Sequence, residues 1–143
     1  MKSRTLFLAL LLPALVVSGC GTRGEFKVMD AWARPAASGE TGAAYFIISN
    51  ATNTEDRLLS INTDVASAAE VHMSMMGSND VASMEMQESV LIPAQQEIIF
   101  KPGGLHVMLI GLTQDLQMGD TISLTLNFET AGSITIQADI EDH

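Results

Sequence analysis

The sequence predicts an all-β sandwich or barrel of eight or nine short strands. Three observations carry this. Short β-favouring runs recur along the chain, separated by clusters of Gly, Pro and Asn. The last third alternates apolar and polar residues with period two, the signature of half-buried strands. Beyond the N-terminal region, no stretch has the 3.6-residue periodicity of an amphipathic helix.

The first nineteen residues stand apart. Lys2 and Arg4 precede an apolar run, Leu6 to Val17, interrupted by Pro13. This is the layout of a secretory signal, and it is shorter than a membrane span. It ends Leu15-Val16-Val17-Ser18-Gly19-Cys20, which resembles a bacterial lipobox. The resemblance makes 1–19 a lipoprotein signal peptide and Cys20 the lipid-bearing residue. Residues 20–25 are then the lipidated Cys and a tether, and 26–143 one β-sandwich domain. Cys20 is the only cysteine, so the domain has no disulfide, no thiolate ligand and no thiol nucleophile.

Taking the domain in order, Phe26 to Arg34 forms a first strand stopped by Pro35. The run PAASGETG, Pro35 to Gly42, is a loop. Ala43 to Ser49 reads as a buried strand and Arg57 to Thr63 as another. Val65 to Ala69 is expected to be a loop or a short helical turn. Glu70 to Met76 and Val81 to Glu88 flank Gly77-Ser78-Asn79-Asp80 and read as a hairpin. Val90 to Pro93 is an edge piece. Glu97 to Lys101 is a strand ended by Pro102-Gly103-Gly104. Leu105 to Leu112 is a strand. Thr121 to Phe128 and Ser133 to Ile140 alternate and form a final hairpin through Glu129 to Gly132.

Composition narrows the function. After the signal, five basic residues face seventeen acidic ones, a net charge of about −12. That argues against nucleic-acid binding through phosphate contacts. No GxSxG elbow, HExxH, CxxC or GxxxxGK motif is present, so no enzyme class is supported. Blue-copper electron transfer needs a cysteine thiolate, which the domain lacks.

The chemistry gathers instead between Glu70 and Met108. This stretch holds His72 and His106 and six of the nine methionines: Met73, Met75, Met76, Met84, Met86 and Met108. In His106-Val107-Met108, strand geometry puts the imidazole and the thioether on one face. Imidazole with thioether is a neutral, soft donor set, suited to Cu(I) and poor for Mg, Ca or Mn. The partner of His72 depends on hairpin register. If paired numbers sum to 156, Met84 lies opposite His72; if they sum to 157, it lies opposite Met73. Each Met taken singly is as well explained by a core that needs adaptable filling. Trp32 and Tyr45 read as core aromatics, and Arg34 as the partner of an acidic neighbour, with docking of a partner protein as the lesser reading.

His72-Met73, Met84, His106 and Met108 spell H-M-x10-M-x21-H-x-M. This resembles the signature of the PCuAC family of periplasmic copper chaperones. The likeness runs from about Met29 to Ile140. It includes Asp30-Ala31-Trp32-Ala33-Arg34, Gly42-Ala43-Ala44-Tyr45 and Pro102-Gly103-Gly104-Leu105-His106-Val107-Met108. The resemblance implies a cupredoxin-like Greek-key β-sandwich binding one Cu(I) per chain. It implies His72, Met84, His106 and Met108 as ligands; Met73, part of the motif, and Met75, Met76 and Met86 are read from the residues themselves as rim or secondary positions, or as core. It further implies a non-enzymatic monomer in the bacterial cell envelope, facing the periplasm and lipid-anchored to a membrane. Such a chaperone delivers copper for the CuA site of cytochrome c oxidase, to the receiving subunit or through a Sco-type thiol protein. Some members carry a His-rich tail for Cu(II); the tail here, Asp139 to His143, has one His. Copper storage or scavenging, or a structural envelope role, are the competing readings.

Overall fold

Runs of branched and aromatic residues set the strands, and Gly, Pro and Asx residues set their ends. The computed structural model describes residues 24–78 and 80–143. The signal peptide, Cys20 and most of the tether therefore lie outside the described residues.

Ten strands follow one another: β1 Phe26–Ala33, β2 Gly42–Asn50, β3 Asp56–Asn62, β4 Ala66–Met76, β5 Ala82–Met86, β6 Val90–Ile92, β7 Gln96–Ile99, β8 Leu105–Leu112, β9 Thr121–Phe128 and β10 Gly132–Ile140. Of Val65 to Ala69, expected as a loop or helical turn, only Val65 lies outside a strand. Ala66 to Ala69 open β4, because Ala66, Ala68 and Ala69 pair with Leu112, Ile110 and Leu109 of β8. Small residues in a polar setting carry weak strand propensity, and ladder pairing overrides it.

The strands form one hydrogen-bonded path, β5-β4-β8-β2-β1-β10-β9-β3-β6, with β7 added to β2. Every pairing is antiparallel except β1 with β10. The open sheet folds over one core. Ala44, Phe46, Val71, Val107 and Leu109 from one half meet Leu58, Ile61, Leu124, Leu126 and Phe128 from the other. Two layers burying their apolar faces against each other make a β-sandwich.

Alternation then fixes what the outer face carries. In β8, Val107 and Leu109 point into the core, so His106 and Met108 point out. In β2, Ala44, Phe46 and Ile48 point in, so Ala43 and Tyr45 share the outer face with Met108. In β1, one extra residue sits between Met29 and Trp32, with Asp30 in the left-handed region at φ 53°. This bulge advances the register by one and sets Trp32 opposite Tyr45. Their rings lie 4.4 Å apart.

Polar anchors hold the far end. Asn50 is fully buried, and its amide donates to the carbonyls of Thr54, Ile92 and Pro93. The buried Asp56 carboxylate accepts from the backbone N–H groups of Thr130 and Ala131, tying the β9–β10 turn to β3. With these ends fixed, the outer face of β5, β4, β8 and β2 is the only part of the molecule where imidazole and thioether groups gather among the described residues.

Candidate metal centre

The site begins with two turns. Lys101-Pro102-Gly103-Gly104 closes with Gly104 N–H donating to the Lys101 carbonyl at 3.1 Å, with Gly103 at φ 78°. Proline second and a left-handed glycine third is the type II pattern. The turn presents the Gly104 carbonyl to two donors: Ser74 N–H at 3.1 Å and His106 Nδ1 at 3.0 Å. A carbonyl only accepts, so His106 carries its proton on Nδ1 and keeps a lone pair on Nε2.

The second turn sets the β4–β5 register, and neither expected register holds. His72 stands opposite Met86, and Met84 opposite Ser74. Val81 belongs to the turn rather than to the strand. Gly77 N–H donates to the Val81 carbonyl at 3.0 Å, Asp80 takes φ 55°, and pairing resumes at Met76 with Ala82. The turn is one residue longer than Gly77-Ser78-Asn79-Asp80. That one residue matters, because partners directly across an antiparallel ladder share a face. It puts Met84, Ser74, His72 and Met86 on the outer face, and Met73 and Met75 on the opposite one.

Across the other edge of β4, His72 pairs with His106 and Glu70 with Met108. The two imidazole centroids are 6.1 Å apart, their planes inclined by 32°. His72 Nε2 lies 3.1 Å from the Glu70 carboxylate. A carboxylate accepts, so Nε2 holds the proton and Nδ1 holds the lone pair. That Nδ1 is buried and has no hydrogen-bond partner among the described residues. A buried polar atom without a partner is costly unless something else fills the role.

Beside this pair lies an open cavity of about 320 Å³. Met84, Met108, His106 and Ser74 line it together with Arg34, Tyr45 and Pro102. Three of the four expected ligand residues thus share one cavity. The fourth, His72, is not in its lining and joins it through the facing ring of His106. His106 is 6% exposed, while Met84 is 61% exposed. Met76 and Met86 are also exposed, on the hairpin beside the cavity.

The donor set fits a soft, singly charged ion. It offers two imidazole lone pairs and two thioether sulfurs, all neutral. Each imidazole holds its proton on a second group, the Glu70 carboxylate or the Gly104 carbonyl, the arrangement that orients metal-binding histidines. Among the described residues no three His, Cys, Asp or Glu side chains form a metal-binding group.

The sequence reading placed Tyr45 in the core and Arg34 chiefly with an acidic neighbour, and assigned neither to the metal site. Tyr45 is buried, but as a wall of this cavity rather than inside the sandwich; its position between Ala44 and Phe46, both core-facing, was the available signal. Arg34 forms no ion pair among the described residues and instead sits 6.0 Å from the Tyr45 ring centroid. Burial raises the Tyr45 phenol above its usual range, and Arg34 pulls in the other direction.

The profile of the LpqE-like lipoprotein family matches residues 26–140. The protein Lxx21020 of Leifsonia xyli subsp. xyli (strain CTCB07), named as a lipoprotein, is 28% identical over 116 residues, covering 81% of this chain and 69% of its own length. The apo PCuAC domain from PmoF1 is 30% identical and superposes with a TM-score of 0.69, over 85% of this chain and 97% of that domain. The solution structure of Cu(I)-bound DR1885 from Deinococcus radiodurans is 26% identical with a TM-score of 0.62, over 85% and 83% of the two chains.

Proposed function

The chain belongs to the LpqE-like lipoprotein family and has the cupredoxin-like β-sandwich of PCuAC domains, and from that membership we propose that it is an extracytoplasmic chaperone that binds one Cu(I). The observation that carries this is the His72–His106 pair. One buried imidazole nitrogen has no partner, the facing imidazole has a free lone pair, and two thioethers sit in the cavity alongside.

His72, Met84, His106 and Met108 are the proposed ligands. Glu70 and the Gly104 carbonyl hold the two rings in the required tautomers. Met84, on the exposed edge strand, is the ligand from which copper leaves most readily, because solvent and a partner reach it directly. Without a thiolate the site retains Cu(I) yet yields it to a stronger soft donor. Met73 and Met75 lie on the other face and are not ligands. Lipid anchoring through Cys20 and a place at the periplasmic side of the envelope complete the reading. So does delivery towards the CuA site of cytochrome c oxidase, directly or through a Sco-type thiol protein.

Titration of the apo-chain with Cu(I) against a chromophoric chelator tests this. The expected result is an end point of one Cu(I) per chain. A flat titration contradicts it. An end point of two or more favours copper storage, for which the exposed thioethers of Met76 and Met86 are the supporting observation.

A further inference from the structure

We propose that Arg34, held against Tyr45, makes one wall of this cavity the approach for an anionic soft ligand, the thiolate of a receiving protein. The proposal rests on the copper-binding reading above and adds the route by which the ion leaves.

Room is the first argument. A bound ion and its contacts need little of the roughly 320 Å³ available, and the cavity is open to solvent. A side chain from another molecule therefore fits beside the donors. Charge is the second. The chain carries a formal net charge of −10, so an anion approaching at random is repelled. Arg34 is an exception to that field. It lines the cavity, and among the described residues it has neither an ion pair nor a side-chain hydrogen bond to neutralise it. Of the other cations, Arg57 lies near Glu129 at 4.0 Å and far from this site in the strand order, and Lys101, next to Pro102, lines a different cavity.

The third argument is how Arg34 is held. Its guanidinium lies 6.0 Å from the Tyr45 ring centroid, and Trp32 packs on that ring at 4.4 Å. A tyrosine phenol is neutral at neutral pH, so Tyr45 packs beside the cation without cancelling its charge. Arg34 and the side chains of Met84, His106 and Met108 thus line one common space.

Chemistry names the ligand. A group that takes Cu(I) from imidazole and thioether must be softer or more basic than both, and among protein side chains that is a thiolate. In the exchange the thiol first loses its proton to water. A copper–thiolate bond then forms as a copper–thioether bond breaks. Copper stays Cu(I), and no electron moves between partners.

The test uses the full chain loaded with one Cu(I). Copper removal is timed with N-acetylcysteine amide, whose only charge is the thiolate, and with a neutral water-soluble phosphine. Wild type, Arg34→Ala and Arg34→Lys are compared at low and high salt. Arg34→Ala is expected to slow removal by the thiolate about 3–10-fold at low salt, the gap closing as salt rises, with phosphine removal within about twofold. Arg34→Lys is expected to retain most of the wild-type rate. Unchanged thiolate rates in Arg34→Ala overturn the proposal. So does equal slowing with both ligands, which makes Arg34 a residue that only shapes the cavity. Failure of the wild type to load Cu(I), seen before any thiol is added, overturns the copper reading itself.

Discussion

Replacing His72 and His106 together by alanine is expected to weaken Cu(I) binding by more than about 100-fold, since loss of an outer-shell partner alone costs about 10–100-fold. In the proposed ligand set of His72, Met84, His106 and Met108 the two rings are the only nitrogen donors. They face each other across β4 and β8, each with its second nitrogen already committed, to Glu70 or to Gly104. Removing both leaves two thioethers, one of them on an exposed edge strand. Stability should change little, because both side chains point away from the apolar core. The check is a chelator competition run beside a thermal melt of the apo-chain. A folded double variant that still binds one Cu(I) with wild-type affinity removes these histidines from the site.

Phe46→Ala is expected to destabilise the fold by about 3–5 kcal/mol, the range for losing a buried aromatic. Phe46 is 1% exposed and stacks on Phe100 at 4.3 Å. It also anchors β2, whose next residue outward, Tyr45, walls the cavity. Its backbone carbonyl accepts from Phe100 N–H, so β2 and the chain leading to the Pro102 turn are joined at this point twice. For a domain of this size the melting temperature should fall on the order of 10–25 °C. A urea titration that gives less than about 1 kcal/mol would mean that the core refills the hole by relaxing.

The strands were the readable part of this chain, because β9 and β10 alternate cleanly and each buries one face. His106 and Met108 were legible for the same reason: two residues apart on a strand whose intervening Val107 is core. The β4–β5 register was not legible. Whether Val81 ends a strand or completes a turn depends on one backbone hydrogen bond from Gly77 and a left-handed Asp80, and nothing in the composition of Gly-Ser-Asn-Asp decides between four and five turn residues. Ala66 to Ala69 were misread because pairing with β8, a long-range fact, makes them strand. Arg34 was given an acidic partner on the general expectation for a cation in an acidic chain. Its actual neighbour, Tyr45, is brought to it by pairing between β1 and β2 after a bulge.

The central claim is a mixed nitrogen and thioether site for one Cu(I) on the outer face of β4, β5 and β8. Copper K-edge X-ray absorption of the full chain carrying one Cu(I) addresses it most directly, with the Met84→Leu/Met108→Leu double variant alongside. The wild type is expected to show both nitrogen and sulfur scatterers around a Cu(I) edge, the sulfur contribution vanishing in the double variant while imidazole scattering persists. A wild-type shell of nitrogen and oxygen alone, or sulfur scattering that survives loss of both methionines, would contradict the account.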